Sequence, residues 1–182
     1  MAEAATQTRA PVQKIAPDGI RFERLLDAPV ETVWRYLTEA ELRAQWFAGG
    51  GDAIEGGDLD LVFDHDNLST DLVPYPADYA KYKGAVNHEK VVRFEPTRVF
   101  AFTFGEGRNG VATFELFPQG DKTRLVLTHS GIQSPTGDVD FGSGWNSHLT
   151  VLEERLAGRG VRNFWELHAR SRDAVAKALA EG

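Results

Sequence analysis

Gly142-Ser143-Gly144-Trp145-Asn146-Ser147-His148-Leu149-Thr150-Val151-Leu152-Glu153-Glu154-Arg155-Leu156 is the stretch whose reading decides the fold. Trp145, Leu149, Leu152 and Leu156 recur at three- and four-residue spacing, which puts one apolar face on a long helix. His148 lies one turn from Trp145 and rides on that face, whereas Asn146, Thr150, Glu153 and Glu154 fall largely on other sides. Almost everything upstream reads as short alternating strands. The two together predict an α+β domain in which a curved antiparallel sheet grips one helix. That arrangement tends to leave a cavity between helix and sheet.

Beyond the helix, Gly158-Arg159-Gly160 breaks the periodicity, and Asn163-Phe164-Trp165-Glu166 has the form of a helix N-terminus. Phe164, Leu167, His168, Val175 and Leu179 then line one side of a terminal amphipathic helix. It folds back on the sheet or packs on a second subunit, so a homodimer is an option. Before the main helix, Gly57 to His65 alternates through Leu59, Leu61 and Phe63, with His65 in phase. Lys81–Phe94, Val99–Phe104, Val111–Phe117 and Thr123–His129 follow as strands, the last with Leu125, Leu127 and His129 on one side. Gly105–Gly110 and Pro118–Asp121 are the turns between them, and Ser130–Asp140 connects to the main helix. Serial strands with short polar turns make an antiparallel meander. Asp66–Ala80, with Pro74, Tyr75, Pro76 and Tyr79, has no clean period and reads as a surface loop or a lid.

Nearer the start, Gly19–Leu26 is a first strand, and Val30, Val33, Trp34 and Leu37 form the buried stripe of a first helix capped by Asp27. Thr38-Glu39-Ala40-Glu41 has the T-x-x-E form of a capping box and restarts a second short helix carrying Leu42 and Trp46. A DNA-reading elbow wants several exposed basic groups on its second helix, and Arg43 is the only one there, so this elbow is read as packing. Gly49-Gly50-Gly51 lacks the lysine and the helix opening of a phosphate loop. The domain organisation expected is a flexible tail over 1–18 with a strand-like addition near Val12–Ile15, a core domain over 19–158 and a helical extension over 159–182.

Composition narrows the partners. A net charge of -7 over 182 residues argues against a nucleic-acid binder and against an anionic membrane surface. With no cysteine there is no disulfide, thiolate metal site or cysteine nucleophile, which fits a cytoplasmic protein. No apolar run approaches the ~20 residues needed to span a bilayer.

Four separated pieces carry a resemblance: Asp27–Trp34 with the following Leu42–Trp46; Phe94-Glu95-Pro96-Thr97-Arg98-Val99; Thr123–Gly131; and Gly144-Trp145 at the long helix. Together they resemble the START and birch-pollen-allergen-like (SRPBCC) superfamily with its helix-grip fold. The branch is similar to the activators of the ninety-kilodalton heat-shock chaperone ATPase. The resemblance spans roughly Gly19 to Leu156 and implies a strand, two short helices, a run of strands and a long helix across the sheet. It implies no single function: members include lipid and polyketide binders, cyclases, receptors and chaperone partners, the last bringing a link to stress response. The matched motifs are structural, so they assign no catalytic residue.

The candidate pocket residues are Trp46, Phe63, His65, Phe100, Phe102, Phe114, His129, Trp145, His148, Leu149 and Leu152, an aromatic interior with few titratable groups. The expected occupant is a small hydrophobic or amphipathic molecule. His129 and His148 are the candidate acid–base or head-group pair, since histidine titrates near neutral pH; the competing reading makes each a hydrogen-bonded core residue. Neither a metal nor a cofactor is expected, because nothing in the spacing brings His65, His129 and His148 together as ligands. Cyclase or hydrolase chemistry by cavity histidines and regulation of a chaperone ATPase through the surface are the alternatives to binding.

Overall fold

The computed structural model describes residues 12–182, and its backbone is a single antiparallel sheet closed on one side by helices. The strands are β1 (Gln13–Ile15), β2 (Gly19–Leu26), β3 (Gly49–Gly50), β4 (Asp58–Val62), β5 (Val86–Glu95), β6 (Val99–Thr103), β7 (Val111–Gln119) and β8 (Lys122–Ser130). Their order across the sheet is β1-β2-β8-β7-β6-β5-β4-β3, every pair antiparallel. The helices are α1 (Val30–Thr38), α2 (Ala40–Arg43), α3 (Gly137–Leu156) and α4 (Phe164–Glu181). This is the helix-grip α+β architecture.

Register follows from the two-residue period of the strands. Phe22 stands opposite Leu127, Leu127 opposite Phe114 and Phe114 opposite Phe100, so one apolar row crosses four strands on the inner side. Onto that row α3 lays Trp145, Leu149 and Leu152, all buried. The opposite side of α3 is buried too. Ser143, Ser147 and Val151 are fully covered, and Ser147 Oγ lies 3.0 Å from His168 Nδ1 on α4. The main helix is therefore sandwiched between the sheet and α4, not merely held by the sheet.

Several boundaries move. Of the expected tail, residues 1–11 lie outside the described residues, while the strand-like addition expected near Val12–Ile15 is present as β1, with Gln13–Ile15 paired to β2 and Val12 buried. The first helix starts at Val30 with Pro29 in the cap position and no side-chain cap, so Asp27 does not cap it. Nor does Thr38 cap the second helix: its hydroxyl donates back to the Trp34 carbonyl one turn earlier, 2.9 Å away. The 118–121 turn shortens to Gly120-Asp121, because Pro118 and Gln119 continue β7. Strand β5 begins at Val86, as Ala77–Tyr82 forms a 3-10 turn. The main helix begins at Gly137, within the expected connecting loop.

Arg43 shows why the elbow packs. Its guanidinium is 1% exposed and donates to the carbonyls of Leu37, Thr38, Ala48, Gly49 and Gly51. One buried cation thus collects the backbone acceptors that the turn leaves open. Burial pulls its pKa down to about 10, so it stays charged at neutral pH.

Candidate functional site

Large side chains pack the interface between the inner sheet row and α3. Trp46, Phe100, Phe102, Phe114, Trp145, Leu149 and Leu152 are each at most 3% exposed and pack on one another there. A cleft opens to one side, between α3, α4 and the segment that follows β4. This cleft, of about 640 Å³, has walls from α3 (Phe141, Gly144, His148), α4 (Phe164, Trp165, His168), the 3-10 segment (Tyr79, Tyr82) and the β6–β7 turn (Phe104, Asn109). Phe63, His65, Ala85 and Asn87 complete it, and exposed Asp78, Asp140 and Arg172 stand at the mouth. Of the residues expected in a pocket, Phe63, His65 and His148 border this cleft. The others lie in the packed core.

His129 is separated from the cleft histidines. Its Nε2 meets the Asn109 carbonyl at 2.6 Å, and its Nδ1 accepts from the Trp145 indole N–H at 3.0 Å. Since a carbonyl only accepts, Nε2 carries the proton and the ring is neutral, with both nitrogens used. Burial holds its pKa below the ordinary histidine value. Asn109 reaches this position through a tight turn: Gly110 has φ +80°, and a Cβ there would lie 1.8 Å from the Ser130 carbonyl oxygen, so only glycine fits. His129 is a hydrogen-bonded core histidine that ties the turn to α3.

His148 is held differently. Its Nδ1 lies 2.8 Å from the Trp46 carbonyl and must donate to it, which leaves the Nε2 lone pair toward the cleft. The ring packs on Phe47 and Phe164, and burial, with His65 nearby, pulls its pKa down to about 3. His65 opens a 3-10 turn (His65–Leu68) and touches Tyr75 twice: its backbone N–H donates to the Tyr75 hydroxyl at 2.6 Å, and its Nδ1 lies 3.1 Å from the same oxygen. With that oxygen already accepting from the backbone N–H, the arrangement in which the tyrosine proton is given to Nδ1 leaves the His65 proton on Nε2. Burial, then the nearby His168, brings the His65 pKa to about 4. The His65 and His148 ring centres are 5.7 Å apart.

His168 and Ser147 have the spacing of a nucleophile and base at 3.0 Å, but the hydrogens run the other way. The Ser147 hydroxyl donates to the Ser143 carbonyl at 2.7 Å, so its oxygen accepts from His168 Nδ1–H. His168 Nε2 in turn accepts from the Tyr79 hydroxyl at 3.2 Å. With Ser147 fully buried, this chain fixes α4 against α3 and offers no nucleophile. No group of three or more His, Asp or Glu side chains among the described residues is placed to hold a metal ion.

The residues that reading the sequence missed as a site sit on α4 and the 66–82 segment. Asn163 caps α4 as its motif indicated, accepting from the N–H groups of Trp165 and Glu166. That cap directs Phe164, Trp165 and His168 at the cleft. Trp165 stacks within 5.0 Å, centre to centre, of both Tyr75 and Tyr79, so the loop aromatics pack on the terminal helix. A signal was available in the aromatic pair directly after the cap and in the aromatics of the loop. Their meeting is set only by the tertiary fold.

Residues 27–157 match the family model described as Activator of Hsp90 ATPase homolog 1-like protein. Among solved structures, the chain is similar to the protein encoded by gene BPP1335 of Bordetella parapertussis, at 37% identity and a TM-score of 0.75, with 90% of this chain and 87% of that one covered. CalU16 of Micromonospora echinospora shares the fold at 22% identity and a TM-score of 0.62, covering 89% of this chain and 88% of its own. The Aha1 dimer of Colwellia psychrerythraea shares it at 16% identity and a TM-score of 0.55, covering 76% and 95%. No protein of curated function matches in sequence.

Proposed function

Because the chain belongs to the Activator of Hsp90 ATPase homolog 1-like family, we propose that it works as a binding protein for a small, largely hydrophobic molecule, held in the cleft between α3, α4 and the 77–82 segment. The observation that carries this reading is the cleft itself: about 640 Å³, aromatic along its inner walls, with charge confined to the mouth. Its lining takes residues from the sheet side (Phe63, Asn87, Phe104) and from α3 (Phe141, Gly144, His148) as well as from α4. Binding is favoured over acid–base catalysis, because His65 and His148, with pKa values near 4 and 3, are poorly matched to proton transfer near pH 7. A cytoplasmic setting is part of the same proposal.

Native mass spectrometry of the purified protein, set against its denatured mass, tests it. A bound small molecule lost on denaturation, or one taken up from a panel of neutral aromatic compounds, is the expected result. A protein that takes up none of them contradicts the reading. The family match also favours a second reading, regulation of a heat-shock chaperone ATPase through surface contacts, which stimulation of that ATPase by the intact chain would support. A homodimer, as in the Colwellia protein's structure, belongs with that second reading.

A further inference from the structure

Resting on the cleft as the ligand site, the two inner histidines specify the head group of the ligand. His148 is 7% exposed, and its Nε2 has no hydrogen-bond partner among the described residues. With Nδ1–H committed to the Trp46 carbonyl, that nitrogen is a pure acceptor aimed into the cleft. Across from it His65, its Nδ1 engaged by the Tyr75 hydroxyl, presents an Nε2–H that is a pure donor. No hydrogen bond joins the rings, and their centres stand 5.7 Å apart. At that separation a single ligand oxygen between them is within reach of both rings. Phe63 and Phe164 flank the two rings, so the rest of the molecule is met by apolar surface.

We propose that the inner end of the cleft recognises a neutral aromatic hydroxyl, its O–H donating to His148 Nε2 while its oxygen accepts from His65 Nε2–H. A carboxylate has no proton to give His148 and, at this inner end, would bury its charge away from Arg172 at the mouth. An ether satisfies His65 but leaves the His148 lone pair unpaired. The site is thus a filter for ligands that donate and accept through one atom.

Calorimetric titration of the full chain with 2-naphthol, 2-methoxynaphthalene and 2-naphthoate tests this. The expected order is naphthol tightest, by about tenfold or more over the methyl ether, the value of one buried hydrogen bond, with naphthoate weakest. In His148→Phe the naphthol advantage should collapse while the ether binds as before. Equal binding of naphthol and ether by the native chain overturns the head-group assignment and leaves the cleft reading standing. If no naphthalene binds, the cleft reading fails and this inference falls with it. A measurement that needs no variant is the ¹⁵N spectrum of the histidines in the native protein. The His148 Nε2 resonance should move on adding naphthol and stay put on adding the ether; an unmoved resonance with bound naphthol overturns the assignment.

Discussion

Arg43→Ala is expected to cost about 3–5 kcal/mol in urea unfolding, since five carbonyls lose their common donor inside the elbow. A loss under about 1 kcal/mol would show that water replaces it. The histidines make a second statement at this scale. His65, His129, His148 and His168 all have pKa values lowered by burial, so the unfolded chain binds protons that the folded one refuses. Their contribution is complete above the unfolded value near 6.5 and is lost as pH falls below it, for His65 toward 4 and for His148 toward 3, by up to ~1.4 kcal/mol per pH unit for each of those two. Exposed His88, raised by Asp60, works weakly in the opposite sense. Stability should therefore fall between pH 7 and 5, and equal urea midpoints at the two pH values would contradict it. Neither point was readable in the sequence. A buried arginine looks like any other until the acceptors around it are known, and an apolar helical face does not say which nitrogen of His148 is engaged.

Strand and helix periodicity carried most of the elements, because their burial alternates as the sheet requires. Where it misled, tertiary contact won over local preference. The first turn of α3 was hidden by Gly137, Asp138 and Asp140, weak helix formers. Gly142 is needed where α4 crosses, as a Cβ there would lie 2.9 Å from Val175. A helix buried on two sides also has a blurred apolar stripe, which is why α4 read as an appendage rather than as a wall of the site. A chain cut after Gly160 is accordingly expected to lose cooperative unfolding as well as the cleft, because Ser143, Ser147 and Val151 would be bared. Unchanged unfolding of the shortened chain would restore α4 to an accessory role. Trp145→Ala should cost about 3–5 kcal/mol, as the residue packs on Phe47, Phe104 and Phe114 and holds His129. A loss under 1 kcal/mol would sink its place in the core.

For the whole molecule, the fold class and the family were legible from ordered motifs spread along the chain, while the position of the open space was not. Volume left over after packing is a property of all side chains together. Here large aromatics pack much of the helix–sheet interface, and a cleft opens at its side, lined also by α4. The measurement that tests this most directly is chemical-shift mapping of the ¹⁵N-labelled protein during titration with 2-naphthol. The expected changes gather at Phe63, His65, His148, Phe164, Trp165 and His168 and spare Phe100, Phe114 and Leu152. Changes centred on those core residues, or none at saturating naphthol, would contradict the account.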